Sequence, residues 1–279
     1  MITEINKHDF HKVKHLTDSC QNIEVKAVAS GLNPGRIYVD DEENITAALI
    51  WIHGQSGFQL IGDSRSAPFL NELKEYMRER IEPELSNLHM HGVEIGVVDE
   101  SWEDVLQHVS GKREISSDIQ HVFKLNPDSI SHQVPLDICA SQDEEVRILR
   151  IDEVLLGERR YNNSQFLKDK ISYFWTTIDD FLQHGFGYIA VHNDDIASVC
   201  FSAFIADQTH AVDIETLEVY RRRNYGAMVA KAFVEECSRV GIHPYWDCSP
   251  DNAGSIRLAQ DVGMSLDFNY RVYWYDLST

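Results

Sequence analysis

Three consecutive arginines, Arg221, Arg222 and Arg223, stand directly before Asn224-Tyr225-Gly226 in a chain whose formal net charge is -20. Residues 211–219 alternate apolar with acidic side chains, the period of a strand. From Tyr225 onward Met228, Val229, Ala232, Phe233 and Val240 fall at helical spacing. The arginines therefore occupy a tight strand-to-helix turn. The first amides of a helix lack intrahelical acceptors, and a guanidinium fork matches phosphate oxygens, so such a turn is chemically an anion site.

The rest of the composition sets limits on partners. With 279 residues, 43% hydrophobic and 25% charged, the chain is long enough for a substantial core and reads as two domains. Forty-five acids against 25 bases disfavour nucleic-acid binding over any broad surface. The same field draws in cations such as amines. No run approaches a membrane span and no signal-peptide pattern opens the chain, so the expected location is cytoplasmic. Five scattered cysteines, Cys20, Cys139, Cys200, Cys237 and Cys248, form neither a disulfide framework nor a zinc pattern.

Positioning elements are readable on both sides of the turn. Helices are expected over 6–20 and 22–31, strands over 36–40, 45–52 and 57–62, a long helix over 67–87, a strand over 93–98, a helix over 102–109 and a strand over 119–125. Polar residues with Pro127 and Pro135 mark a linker over 126–144. A strand over 146–151 follows, then one or two helices within 154–183, strands over 185–191 and 196–205, the strand and helix around the arginines, a strand over 243–248, a helix over 252–262 and a strand over 266–275. The fold class is α+β, mixed α/β. The order of elements in 45–125 repeats in 196–275, as two halves of related architecture would, with only the second keeping the arginine turn. Expected domains are 1–140 and 141–279.

The turn resembles the cofactor motif of the GNAT superfamily of acyl-CoA-dependent N-acetyltransferases: an Arg or Gln, two residues, a Gly, one residue, then Gly or Ala. Arg221 and Gly226 match its ends, while Asn224 replaces the central glycine; Asn is the side chain most willing after Gly to take positive φ. The segment Trp246-Asp247-Cys248-Ser249-Pro250-Asp251-Asn252-Ala253-Gly254-Ser255, with Leu258-Ala259 and Gly263, is similar to the superfamily's final strand-helix unit. The Asp213-Ile214-x-Thr216 strand, the Tyr220-Arg221 turn and the Trp246-Asp247-Cys248 segment resemble the branch that includes zwittermicin-resistance acetyltransferases, as do Pro34-Gly35-Arg36 and Tyr38-Val39-Asp40-Asp41.

The resemblance implies a C-terminal splayed mixed sheet flanked by helices, an N-terminal domain of related, degenerate architecture, and acetyl transfer from acetyl-CoA to a primary amine of a small cationic acceptor. It assigns backbone groups near Ile214 and Thr216 to the pantetheine arm. The amides and side chains of Arg221, Arg222, Arg223, Asn224, Tyr225, Gly226 and Ala227 fall to the pyrophosphate. Asn252 and Ser255 border the cofactor, Asn252 as a pantetheine contact or as a plain N-cap. Transfer to an amine needs a base, for which Asp213, Glu215 and His210 are candidates. Alternation puts Asp213 and Glu215 on one strand face with Ala211, opposite His210. Ala259 stands where the superfamily often has a tyrosine acid, which leaves Tyr225, Tyr270, Tyr273 or water for that role. A silent acyl-CoA-binding or sensor protein is the alternative function. Two other patterns are set aside: His53-Gly54-Gln55-Ser56-Gly57 lacks the last glycine of a hydrolase elbow and reads as a hairpin turn, and His89-Met90-His91 lacks the carboxylates of a metal site.

Overall fold

The computed structural model describes residues 1–125, 146–157 and 161–277. These form two compact units, one of Met1–Gln120 with Asn269–Thr279, the other of His121–Phe268. The expected boundary at 140/141 and the expected linker lie outside the described residues.

The first unit contains β1 (Thr3–Ile5), α1 (Lys14–Thr17), α2 (Ile23–Ala29), β2 (Gly35–Val39), β3 (Ala47–Ile52), β4 (Gly57–Gly62), α3 (Ala67–Tyr76), α4 (Glu82–Asn87), β5 (Gly92–Val97) and α5 (Glu103–Ser110). Strands β1 to β4 pair antiparallel in sequence order, and β4 pairs parallel with β5. Its core joins Leu49, Trp51, Phe58 and Leu60 from the sheet to Phe69, Leu73, Met77, Trp102 and Leu106 from the helices. The His53–Gln55 turn with Ser56 at φ 53° links β3 to β4, as a hairpin turn does. The expected long helix over 67–87 is continuous, and within it α3 and α4 are joined by a π turn at Met77–Ile81. Pro83 explains the π turn: it lacks an amide and its ring crowds the carbonyl four residues back, so the ladder loosens to the Glu82 N–H donating to the Met77 carbonyl.

The second unit follows strand β6 (Ser116–Leu125), which ends inside it, and contains β7 (Val146–Arg150), α6 (Glu153–Gly157), α7 (Ser164–Phe174), α8 (Ile178–His184), β8 (Gly187–His192), β9 (Asp195–Ala206), β10 (Thr209–Thr216), α9 (Tyr225–Val240), β11 (His243–Cys248) and α10 (Ala253–Asp261). The last strand, β12 (Met264–Asp276), leaves it for the first unit. Strands β7 to β10 pair antiparallel in order, and β10 pairs parallel with β11. In each unit a hairpin, a helix and a parallel strand follow one another, the repeat expected from the order of elements. No helix among the described residues is long and apolar enough to cross a membrane.

Each unit is completed by a strand from the other half of the sequence. His121–Lys124 of β6 pair antiparallel with Cys248–Tyr245 of β11, and Arg271–Asp276 of β12 pair antiparallel with Val97–Gly92 of β5. Val122 and Phe123 are 0% and 2% exposed, a burial of about 1.5 to 3 kcal/mol for a large apolar side chain.

Helix α9 covers one face of the second sheet, where Phe233 stacks on Phe186 with centroids 4.7 Å apart. His210 lies on that face, 4% exposed, its ring 5.4 Å from Phe186 and its Nδ1 2.8 Å from Ser202 Oγ. Burial lowers its pKa from the ordinary 6.5 to about 4. Helix α7 covers the other face through Phe174, which meets Phe201 and Phe204 at 5.7 and 5.4 Å.

Two predictions follow from this packing. A fragment starting at residue 141 lacks β6 and exposes the β11 edge; calorimetry should show no cooperative transition, whereas a sharp melt would refute the need for the exchanged strand. Because folding depresses the His210 pKa, its contribution to stability is whole above pH 6.5 and is lost as pH falls through about 4. The loss across that window is about 3 kcal/mol. Urea midpoints of H210N should fall less than wild type between those pH values; parallel curves would contradict a buried neutral imidazole.

Candidate functional site

The site begins where two parallel strands part. Thr209–Ala211 of β10 pair with His243–Tyr245 of β11, and the ladder stops there. Beyond it β11 runs against β6, while β10 stays with β9 as far as Thr216. The edge of β10 from Val212 to Thr216 thus opens toward a gap instead of a neighbouring strand. A β-bulge lies at the point of parting: Ala211 pairs with Phe204 but Val212 with Ser202, so Ala203 is an extra residue in β9. Phe201 and Phe204, three residues apart, consequently both reach Phe174. A bulge sharpens strand twist, which turns β10 away from β11.

That gap is the inner end of a cleft of about 780 Å³ whose wall carries Ile214, Glu215 and Thr216 of β10. The floor is the turn and first turn of α9: Tyr220, Arg221, Arg222, Asn224, Tyr225, Gly226 and Ala227. Asn252, Gly254, Ser255, Arg257, Leu258 and Asp261, at the start of α10 and along it, close the far side. Ten of the eleven residues expected at a cofactor therefore line one cleft, Arg223 being the exception. Its guanidinium lies over the Tyr220 ring, 5.9 Å from the centroid.

The turn is built from left-handed residues. Arg222 has φ 63° and Asn224 φ 67°, ψ 7°. Asn224 adopts the conformation for which a glycine would otherwise be selected. The first helical hydrogen bond runs from Met228 N–H to the Asn224 carbonyl, 3.1 Å, so the preceding amides of α9 have no carbonyl behind them within the helix. No acidic residue stands in that turn. Space at Gly226 is tight: a Cβ there would sit 3.0 Å from Thr216 Oγ1 and 3.5 Å from Leu258 Cδ1.

Polar contacts, fully buried only at Tyr225, fix these parts. Tyr225 is 1% exposed, with its hydroxyl 2.9 Å from His192 Nδ1, which ties the start of α9 to β8. Tyr220 donates to Asp195 Oδ2 at 2.7 Å, and this bond holds the Asp195 carboxyl below the ordinary range. Arg221 Nε donates to the Thr216 carbonyl at 3.3 Å. At α10, Asn252 Oδ1 accepts from Ser255 N–H at 3.0 Å, an N-cap that also borders the cleft. Trp246 Nε1 donates to Ser255 Oγ at 2.8 Å, binding that cap to β11.

The titratable candidates divide by face, as alternation requires. His210 is in the α9-side core and does not line the cleft. Asp213 and Glu215 point to the α7 side, where Lys170 Nζ lies 3.0 Å from Asp213 Oδ2 and 3.0 Å from Glu215 Oε2. Burial raises the Asp213 pKa, with Lys170 opposing it; burial works against the Lys170 charge too, but the two carboxylates overcome it and hold its pKa above the ordinary value. Glu215 borders the cleft, whereas Asp213 and Lys170 lie behind it. Ala259 is fully buried in the core, Tyr225 lines the cleft, and Tyr270 and Tyr273 belong to the first unit.

Sequence reasoning missed Lys170 and Arg257, and named Tyr220 as part of the turn without giving it a place in the site. Arg257 and Tyr220 flank the motif segments and could have been read from helix and turn positions. Lys170 had no local signal, since only the sheet brings α7 to β10.

Comparison with known proteins agrees with this architecture. The GNAT acetyltransferase family model matches residues 14–273. The chain is 25% identical over 277 residues to the uncharacterized N-acetyltransferase YdfB of Bacillus subtilis (strain 168), covering 98% of each. Among solved structures it is similar to a GCN5-related N-acetyltransferase-like protein from Streptococcus suis 89/1591, with a TM-score of 0.64 at 19% identity, covering 96% of this chain and 98% of that one. It is also similar to a tandem GNAT protein from the clavulanic acid biosynthesis pathway, with a TM-score of 0.62 at 10% identity, covering 100% and 99%. The fold is mixed α/β of the GNAT type, and the tandem protein fits its two-unit organisation. With a family match across most of its length, this chain belongs to the GNAT acetyltransferase family.

Proposed function

We propose that this chain transfers an acetyl group from acetyl-CoA to a primary amine of a small cationic acceptor by direct attack. The observation that carries the reading is the single cleft joining the ladder-free edge of β10 to the first turn of α9. Its donor set suits an acyl-CoA. Amides of an extended strand edge can pair with the amide groups of a pantetheine arm, and helix-start amides beside Arg221 and Arg222 suit a pyrophosphate. Gly226 leaves room for an anion to approach the backbone.

Acetyl-CoA supplies an acetyl group already activated as a thioester. The protein's part is to orient it and to deliver the acceptor nitrogen without its proton. Glu215 is the carboxylate placed for that, because it borders the cleft with a side chain 39% exposed. The charge of -20 favours approach of a cation. Ala259, buried in the core, offers no acid for the leaving sulfur, and the Tyr225 hydroxyl is held by His192, so Tyr270, Tyr273 and water remain for that role. Within the family we place the chain beside the branch that includes zwittermicin-resistance acetyltransferases, on the Asp213-Ile214-x-Thr216 strand and the Trp246-Asp247-Cys248 segment.

A second reading, acyl-CoA binding without turnover, rests on Ala259. Release of CoA thiol with a panel of amines separates the two.

Gly226→Val puts a branched side chain against Thr216 and should weaken acetyl-CoA binding by at least about tenfold in calorimetry, the effect of little more than 1 kcal/mol of lost contact. Unchanged affinity would refute the assigned turn. Glu215→Gln should lower kcat for the amine while leaving acetyl-CoA affinity intact; full activity in that variant would remove Glu215 from proton transfer.

A further inference from the structure

The ion cluster behind the cleft contains two anions and one cation. Lys170 comes from α7, Asp213 and Glu215 from β10, and all three side chains are less than half exposed, at 24%, 20% and 39%. From β9 the residues paired in register with Asp213 and Glu215 are Phe201 and Val199. Both are apolar and neither adds charge. Two carboxyl groups thus share the one Lys170 cation.

The two carboxylates are not equivalent. Asp213 is the more enclosed and lies behind the wall, so its compensation must come from Lys170: an unpaired buried carboxylate costs several kcal/mol. Glu215 borders the cleft and is the more exposed of the two. Lys170 is itself a poor acetyl acceptor, since between two carboxylates it stays an ammonium with no lone pair.

Building on the acetyl-transfer reading above, we infer that Lys170 is a positioning and specificity-determining residue: it locks Asp213 as its permanent counter-ion and shares Glu215 with the acceptor, so that this wall offers one carboxylate to a substrate with one ammonium group at its reacting end. An ammonium arriving at Glu215 shares that carboxylate with Lys170. A diamine whose second cation falls near the same wall meets Lys170 and is repelled. Removal of the Lys170 charge lifts that repulsion, which favours a compact diamine relative to a monoamine.

The test compares wild type, Lys170→Met and Lys170→Arg with n-butylamine and 1,4-diaminobutane as probes. Calorimetry measures amine binding, and steady-state kinetics measures the ratio of kcat/KM for the diamine to that for the monoamine, with acetyl-CoA affinity measured in parallel. K170M should raise both the binding ratio and the kcat/KM ratio at least tenfold, K170R should restore the wild-type ratios, and acetyl-CoA affinity should stay within twofold in all three. Equal loss for both amines, or a ratio unchanged in K170M, would overturn the specificity role. A K170M protein that melts without a cooperative transition transfers the test to K170Q, which keeps the length without the charge and is held to the same ratios. Wild type that binds the amines without turnover would sink the acetyl-transfer reading alone, because the binding ratio still decides the role of Lys170.

Discussion

Everything at the site depends on the separation of β10 from β11. Parallel neighbours normally satisfy one another's amides and carbonyls along their whole length. Here the ladder covers only Thr209–Ala211, and the bulge at Ala203 turns β10 aside at the next residue. The opened edge needs hydrogen-bonding partners, and an extended amide-bearing ligand provides them in the manner of an added strand. The same separation puts the start of α9 at the end of that edge, so that a strand-like binding surface runs directly into a helix terminus. Arginines then reinforce an anion preference that the backbone already has.

Rigid packing turns this opening into a defined cleft. Tyr225 pinned to His192 and Phe233 stacked on Phe186 hold α9 against the sheet, while Trp246 holds the cap of α10. The exchanged strand β6 supports β11 from its far edge, with Val122 and Phe123 in the core. A strand from the first half of the sequence thus helps to hold one wall of a site whose residues all come from the second half. The equivalent helix start in the first unit has Asp63 before it and Pro68 in its first turn, which removes an amide and adds repulsion for an anion. One repeat keeps a helix start open to an anion, and the other keeps only the frame.

Much of this was legible in the sequence because it is written locally. The switch of period at Tyr225, the tolerance of Asn224 for positive φ and the small residue at Gly226 are properties of one short segment. Strand β11 and helix α10 carry their own signals in Trp246-Asp247-Cys248 and Asn252. What escaped is nonlocal: the bulge at Ala203 exists only relative to the register of β10, and Lys170 meets Asp213 and Glu215 only after α7 packs across the sheet. The exchange of β6 and β12 is likewise invisible to periodicity, which identifies a strand and not its partner. His210 shows the same limit, since alternation gives its face but not that Phe186 and Ser202 lie against it.

The central claim is that the ladder-free edge of β10 and the first turn of α9 form one binding surface for an acyl-CoA. Backbone amide NMR of the full chain titrated with CoA tests it residue by residue. The account predicts the largest shifts at Ile214–Thr216 and at Arg222–Ala227, moving together with one binding constant. Shifts absent from either segment, or concentrated in the first unit, would contradict it.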